Sequence, residues 1–90
     1  MAELISSGTT LANSADITVS AGSSATLLLK SATAQIPQGA NADIQAKSAD
    51  GNYYTIGRLT DQEPIKVLAA AGTFRVVRNP LGTAYGVDQN

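Results

Sequence analysis

Residues 43–57 read Asp-Ile-Gln-Ala-Lys-Ser-Ala-Asp-Gly-Asn-Tyr-Tyr-Thr-Ile-Gly, two runs of alternating polar and apolar side chains joined by a turn. Alternation with a period of two is typical of a strand that buries one face. An Asp-Gly pair between two such runs indicates a β-hairpin, because glycine supplies the left-handed backbone that the tight turn needs. The sequence therefore predicts a hairpin centred on Asp50-Gly51.

Two loop lengths compete for this hairpin. A two-residue loop would place Ile44 opposite Gly57, whereas a three-residue loop with Gly51 in the left-handed region pairs Ile44 with Ile56 and Ala46 with Tyr54. A slip of one residue exchanges the two faces of a strand, so the register that separates apolar from polar side chains is favoured. We predict the three-residue loop, with a polar face formed by Asp43, Gln45, Lys47, Tyr53 and Thr55.

Similar short runs fill the chain on both sides of the hairpin and are separated by Gly, Pro and Asn. β-Branched residues dominate these runs and no apolar stripe has the helical period, so no helix is predicted. The pattern predicts an all-β fold, a single antiparallel β-sandwich of immunoglobulin-like or jelly-roll-like type with about seven short strands. The predicted strands are 16–20, 24–30, 43–47, 53–57, 65–68, 73–78 and 84–88, with a crossover loop or edge at 31–40.

Residues 1–15 differ from the rest because they are rich in Ser, Thr, Ala, Gly and Asn. Leu4 and Ile5 form an apolar pair that a solvated tail would not need. Two interpretations stay open: an N-terminal arm or an irregular edge strand, with the β-sandwich domain at 16–90. No signal-peptide pattern and no run near the ~20 apolar residues of a membrane span is present, so we expect a soluble protein made in the cytoplasm.

Alternation assigns an inward face to each predicted strand. The predicted core is Ile17, Val19, Leu27, Leu29, Ile44, Tyr54, Ile56, Ile65, Val67, Phe74, Val76 and Val87. This assignment leaves Leu28, Leu59, Leu68 and Val77 off the core, beside Lys66 and Arg75. Scattered apolar residues are ordinary on protein surfaces, but a contiguous group indicates an interface. The interface is favoured because Leu68 and Val77 lie on strands expected to pair.

Few residues here support catalysis or ligand chemistry. The chain has no Cys and no His, and its six Lys and Arg against seven Asp and Glu give a net charge of −1. No serine stands in a nucleophile motif, no glycine pattern fits a phosphate loop, and no acidic spacing fits a metal site. We predict a non-enzyme with no cofactor, no bound metal, no nucleic-acid partner and no membrane partner.

Two weaker binding hypotheses each rest on a single kind of residue, aromatic rings or basic side chains. Sugars stack on exposed aromatic rings, and Tyr53 and Tyr85 are the candidate rings, with Phe74 expected in the core. Lys66, Arg75 and Arg78 form a possible basic cluster, but no aromatic platform accompanies them. The tyrosines leave a carbohydrate-binding module open as an alternative.

Three segments carry a resemblance: Tyr-Thr-Ile-Gly-Arg-Leu-Thr at 54–60, Ala-Gly-Thr-Phe-Arg-Val at 71–76 and Tyr-Gly-Val-Asp at 85–88. In these segments the chain resembles small β-sandwich virion proteins of tailed bacteriophages, which include the capsid decoration, or cement, proteins. The resemblance implies a homo-oligomer, with a trimer favoured, that contacts the major capsid protein on the virion surface. It also implies that residues 1–15 form a capsid-facing arm.

The predicted function is therefore a virion structural protein, made in the host cytoplasm, that decorates or stabilises a phage capsid through protein–protein contacts. The alternative is a carbohydrate-binding module or a fibre or tail adaptor. The predicted interface residues are Leu4, Ile5, Leu28, Leu59, Lys66, Leu68, Arg75 and Val77.

Overall fold

A computed structural model describes residues 2–33 and 35–89 of the chain. These residues form an all-β structure, and no helix among them is long and apolar enough to cross a membrane. The strands are β1 (Ala2–Gly8), β2 (Ala12–Asn13), β3 (Ile17–Val19), β4 (Ala25–Lys30), β5 (Asn41–Lys47), β6 (Tyr53–Thr60), β7 (Ile65–Leu68), β8 (Gly72–Arg78) and β9 (Tyr85–Gln89).

The strands form two antiparallel sheets that pack as a β-sandwich, which confirms the predicted fold class. One sheet has four strands in the order β1-β9-β4-β7. The other has five, in the order β2-β8-β5-β6, with β3 also paired to β8. All seven predicted strands are present as β3 to β9, and β1 and β2 are additional. The expected pairing of the strands that carry Leu68 and Val77 is wrong, because β7 pairs with β4 and β8 pairs with β5.

The β5–β6 hairpin confirms the predicted three-residue loop. The Ser48 N–H donates to the Asn52 carbonyl at 2.8 Å, and Gly51 has a φ of 87°. Ala46 pairs with Tyr54 as predicted, but Ile44 pairs with Gly57 instead of Ile56. The register shifts by one residue between these pairs, so Ile56 is the extra residue of a β-bulge. Beyond this point β6 continues as one strand to Thr60 and does not turn away at Gly57.

The core lies between the two sheets and is built from aliphatic side chains with Phe74 and Tyr85. Eight of the twelve predicted core residues are buried. The four exceptions, Tyr54, Ile56, Ile65 and Val67, are each more than half exposed. Seven buried residues outside the predicted core set take their places: Ile5, Ala25, Ala40, Ala42, Leu59, Leu68 and Tyr85.

The N-terminal segment takes part in both sheets. β1 is an edge strand that pairs irregularly with β9, and Ile5 on β1 is a core residue. β2 pairs with β8 in the other sheet. Ser14 then continues this pairing, since its N–H donates to the Val76 carbonyl at 2.8 Å and its hydroxyl accepts from the Val76 N–H at 2.9 Å. Of the two interpretations of residues 1–15, the structure therefore supports the irregular edge strand over residues 2–8.

Candidate functional site: an apolar patch on one sheet

The predicted interface does not exist as a single surface. Leu59 is 0% exposed and Leu68 is 8% exposed, and both belong to the core. Val77 is 7% exposed and lies between β2 and β5, opposite Asn13 and Asp43. The prediction that these three side chains lie uncovered off the core is therefore wrong.

The other predicted interface residues divide between the interior and the surface. Ile5 is buried, and Leu4 is partly buried against the core. Leu28, Lys66 and Arg75 keep partial exposure. Lys66 and Arg75 do not come together, because β7 and β8 belong to different sheets.

The orientation of β7 explains why Leu68 is buried while Ile65 and Val67, which were predicted in the core, are exposed. In an antiparallel pair, residues directly opposite each other point to the same face. Leu68 lies opposite the buried Ala25, and Lys66 lies opposite Leu27, which is 0% exposed. The inner face of β7 therefore carries Leu68 and Lys66, and its outer face carries Ile65 and Val67.

The outer face of the four-stranded sheet consequently carries an apolar patch. Ile65 is 54% exposed and Val67 is 60% exposed. Ile65 lies opposite Leu28 on β4, which alternates with the buried Leu27 and Leu29 and so points outward. We call Leu28, Ile65 and Val67 the β4–β7 patch. It is a continuous apolar group at one edge of an otherwise polar face.

A charged cluster lies beside the patch on the same outer face. The register places Glu3, Asp88, Leu28 and Ile65 in one row across the four strands. The Lys30 ammonium lies 2.8 Å from Asp88 Oδ1 and also pairs with Glu3. Hydrogen bonds that the Lys30 ammonium donates to Asp88 and Glu3 raise the pKa of Lys30 above its ordinary value, so the lysine stays charged. The cluster thus joins β1, β9 and β4 by ion pairs.

A second ion pair borders the patch at the start of β7. The Lys66 ammonium donates to Glu63 Oε2 at 2.9 Å. This hydrogen bond lowers the pKa of Glu63, so its carboxylate stays ionised at neutral pH. Charges on both sides of the patch therefore have a partner within the chain.

Two more apolar side chains are exposed on β6, the edge strand of the other sheet. Tyr54 is 54% exposed and Ile56 is 56% exposed. Ile56 is turned out of the core because the bulge leaves it without a partner on β5. A turn at 61–64 joins β6 to β7, so both edges lie on the same side of the sandwich.

The expected tyrosine platform for sugars is not formed. Tyr85 is 0% exposed, and its hydroxyl oxygen lies 2.6 Å from the Asn41 carbonyl and 2.5 Å from that of Asn79. Burial raises the pKa of Tyr85. A signal for this position was present in the sequence, because Tyr85 alternates with Val87, which was assigned to the core.

Tyr53, the other proposed sugar-stacking ring, is engaged by neighbouring side chains. The Arg75 guanidinium lies 3.7 Å from the centre of the ring and donates to Gln45 Oε1 at 2.7 Å. The Tyr53 hydroxyl donates to Asp16 at 2.6 Å, which raises the pKa of Tyr53. Arg75 therefore occupies one face of the ring that a sugar would use.

Arg78 has a structural role that the sequence does not predict. It is 5% exposed, so it is no part of a basic surface cluster. Its guanidinium donates to the carbonyls of Ser6, of Thr10 at 2.9 Å and of Tyr85 at 3.3 Å. These bonds fasten the N-terminal segment to β8 and β9, which is a structural role.

The β4–β7 patch is the strongest candidate for a functional surface. Within residues 2–33 and 35–89 the structure has no pocket, and no three His, Cys, Asp or Glu side chains are grouped as metal ligands. Comparison of the chain with protein-family models, with curated proteins and with solved structures gives no match.

Proposed function

We propose that this chain is a non-enzymatic structural protein that decorates or stabilises the head of a tailed bacteriophage through protein–protein contacts. The observation that carries the proposal is the β4–β7 patch, where Ile65 and Val67 are more than half exposed on the outer face of an ordered sheet. Apolar groups of this kind on a small protein mark contact surfaces, since covering them removes apolar area from water.

The resemblance in residues 54–60, 71–76 and 85–88 supplies the viral part of the proposal. These segments include much of β6, β8 and β9, the strands that also build the core. The proposed partners are the major capsid protein and further copies of this chain, and the proposed location is the capsid surface. Three copies follow from the resemblance alone, whereas the patch supports assembly without fixing a number.

Mass spectrometry of purified particles produced from the genome that encodes this chain tests the proposal. We expect the chain in heads separated from tails, in a fixed ratio to the major capsid protein. A chain found with tails or fibres would support the adaptor alternative instead. A chain absent from the particles would overturn the proposal.

A capsid-binding experiment tests the role of the patch. Heads that lack this chain are incubated with the purified chain and sedimented. We expect Ile65→Lys together with Val67→Lys to reduce the amount of chain that sediments with the heads. Both changes introduce a charge into a surface that would be removed from water on binding. Leu11→Lys is the matched control, since Leu11 is 57% exposed on the connection between β1 and β2.

A further inference from the structure

We infer that the edge of β9 is a strand-binding site and that β1 is an exchangeable strand, so that residues 2–8 of one copy take the place of residues 2–8 in a second copy. The partner is therefore another copy of this chain, and the contact is a continuous sheet. The inference uses a surface separate from the β4–β7 patch, and it does not depend on the proposed function.

The site on β9 remains formed when β1 is absent. β9 is also paired with residues 27–30 of β4, and β4 is paired with β7. Three strands of the sheet, in the order β9-β4-β7, therefore stay joined without β1. Among the described side chains of β1, only Ile5 is buried in the core, and Leu4 is partly buried beside it. Release of β1 thus leaves most of the core in place.

Three features of the site fit an extended strand. The core has a position for one apolar side chain, which Ile5 fills. Gly86 lets the backbone of the strand approach closely, because a Cβ atom there would clash with the Ile5 carbonyl oxygen and lie 2.9 Å from the Ser7 nitrogen. The Arg78 guanidinium donates to the Ser6 carbonyl. The site therefore recognises the backbone of a strand and one apolar side chain.

The pairing of β1 with β9 is weaker than the pairing of β4 with β9. The register between β1 and β9 shifts twice, between Glu3 and Ile5 and between Ile5 and Gly8, whereas the register between β4 and β9 is unbroken. Each shift interrupts the ladder of hydrogen bonds. Segments with few buried apolar contacts open at a lower free energy than the rest of a domain. We therefore expect β1 to open while the other strands stay paired.

Gly8 provides the hinge for this opening, because the residues after it are held to the domain. The Thr9 carbonyl accepts from the Leu81 N–H at 3.2 Å. The Thr10 carbonyl accepts from Arg78 Nε at 2.9 Å. Glycine has the widest backbone freedom of any residue, so Gly8 can redirect the strand while Thr9 and Thr10 stay in place. The exchanged segment therefore ends at Gly8.

A second copy is the partner because its residues 2–8 already fit the site. The contacts of β1, including the ion pair between Glu3 and Lys30, form again when the strand comes from another copy. Exchange of an identical element therefore costs little, and a high protein concentration favours it. Seven extended residues span about 23 Å at ~3.3 Å per residue, close to the 24 Å middle dimension of the molecule. A released strand thus extends well beyond its own domain.

Introduced cysteines test the exchange, since the chain has none and Glu3 lies opposite Asp88. The full-length Glu3→Cys and Asp88→Cys variants are mixed and oxidised, and mixed disulfides are measured by intact mass. The control mixture is Lys47→Cys with Tyr53→Cys, which also lie opposite each other, on a hairpin whose short loop prevents the exchange of one strand. We expect the first mixture to form mixed disulfides at least about tenfold faster, because exchange raises the effective concentration of its two thiols.

Equal rates in the two mixtures would overturn the inference. Chance collisions would favour the control, since the Lys47 side chain is 40% exposed and that of Asp88 is 18% exposed. Hydrogen exchange of the unaltered chain covers the case in which a variant fails to fold. We expect the β1 amides that donate to β9 to exchange at least about tenfold faster than the β7 amides that donate to β4, at the opposite edge of the same sheet. Equal protection of the two edges would contradict the opening of β1, and exchange requires that opening.

Discussion

Arg78 is a buried charged residue that holds the N-terminal segment against β8 and β9. Three backbone carbonyls, on Ser6, Thr10 and Tyr85, accept its hydrogen bonds. A buried guanidinium needs most of its donors satisfied, because an unpaired charge in the interior is costly. The N-terminal segment supplies two of those carbonyls. The segment and the arginine therefore stabilise each other.

Replacing Arg78 with alanine should destabilise the protein by about 2 to 3 kcal/mol, because it removes three charge-assisted hydrogen bonds, one of them to the carbonyl of buried Tyr85. Arg58→Ala is the matched control, since the Arg58 side chain is 61% exposed and pairs with Asp43 on the surface. That change should cost at most about 1 kcal/mol. Urea unfolding gives both values. Equal losses would show that Arg78 does not fasten the N-terminal segment.

Residues differ in how far their burial and contacts can be predicted from the sequence. Tyr85 could be assigned to the core from its alternation with Val87, and the error came from treating its ring as a binding platform. Arg78 carries no such signal, because its partners are backbone carbonyls brought together by the tertiary structure. Val77 was placed on the outer face correctly, but its burial there depends on neighbouring strands that alternation does not reveal.

At the scale of elements, the sequence predicts the loop length of the β5–β6 hairpin, but it does not predict the bulge in β6 or the continuation of β6 to Thr60. The loop is fixed locally by Asp50-Gly51, whose carboxylate accepts from the Asn52 N–H at 3.0 Å. Hydrogen bonds from Ser48 and Asn52 lower the pKa of Asp50, which keeps this acceptor ionised. The bulge at Ile56 is set by packing farther along the strand, where Leu59 opposite Ala42 enters the core.

Gly51→Ala tests the loop geometry. Gly51 has a φ of 87°, a left-handed conformation that costs a residue with a Cβ atom about 1 to 2 kcal/mol. We expect that loss of unfolding free energy in urea. Gly57→Ala is the control, because a Cβ atom there meets nothing within 4 Å and no left-handed backbone is required. It should change stability by less than about 0.5 kcal/mol.

Strand β7 shows why edge strands mislead alternation. Its sequence Ile-Lys-Val-Leu offers a charged residue on one face and two β-branched residues on the other, which predicts Ile65 and Val67 inside. The pairing with β4 reverses this assignment. An edge position tolerates Lys66 on the inner face, because its ammonium reaches Glu63 beyond the end of the strand.

Lys66→Val should allow edge strand β7 to pair with strands of other molecules. The variant removes the inward charge that opposes pairing with another chain, so we expect soluble aggregates with increased β-structure. Light scattering and far-ultraviolet circular dichroism on concentrated samples measure this. Lys47→Val removes one charge on β5, an interior strand, and should stay free of aggregates. Aggregation of both variants alike would indicate an effect of net charge instead.

The whole molecule joins its two sheets through the N-terminal segment and the crossings between strands. β1 belongs to the four-stranded sheet and β2 to the other, and Arg78 holds the connection between them. Two groups of the four-stranded sheet, Tyr85 on β9 and Lys30 on β4, respond to alkaline pH, and so does Tyr53 on β6. Burial raises the pKa of Tyr85 above its ordinary value, and the hydrogen bonds that Lys30 donates to Asp88 and Glu3 raise the pKa of Lys30.

These directions predict alkaline instability. A raised pKa means that folding favours the protonated group, so its contribution is complete below the unfolded-state value and is lost as pH rises through the folded-state value. We expect the urea midpoint to stay flat near neutral pH and to fall above about pH 10. Tyr85→Phe should be less stable than the parent at pH 8, because the variant lacks the hydroxyl that bonds the carbonyls of Asn41 and Asn79.

The pH dependence of that difference is the sharper measurement. Ionisation of buried Tyr85 removes the donor that the phenylalanine also lacks, so the two stability curves should converge as pH rises from about 9 to 12. Tyr54→Phe, at a position 54% exposed, should instead follow the parent across the whole range. If the gap between Tyr85→Phe and the parent stays constant, the buried phenol does not cause the alkaline transition. Tyr53 and Lys30, whose pKa values are also raised, would then be the groups left to account for it.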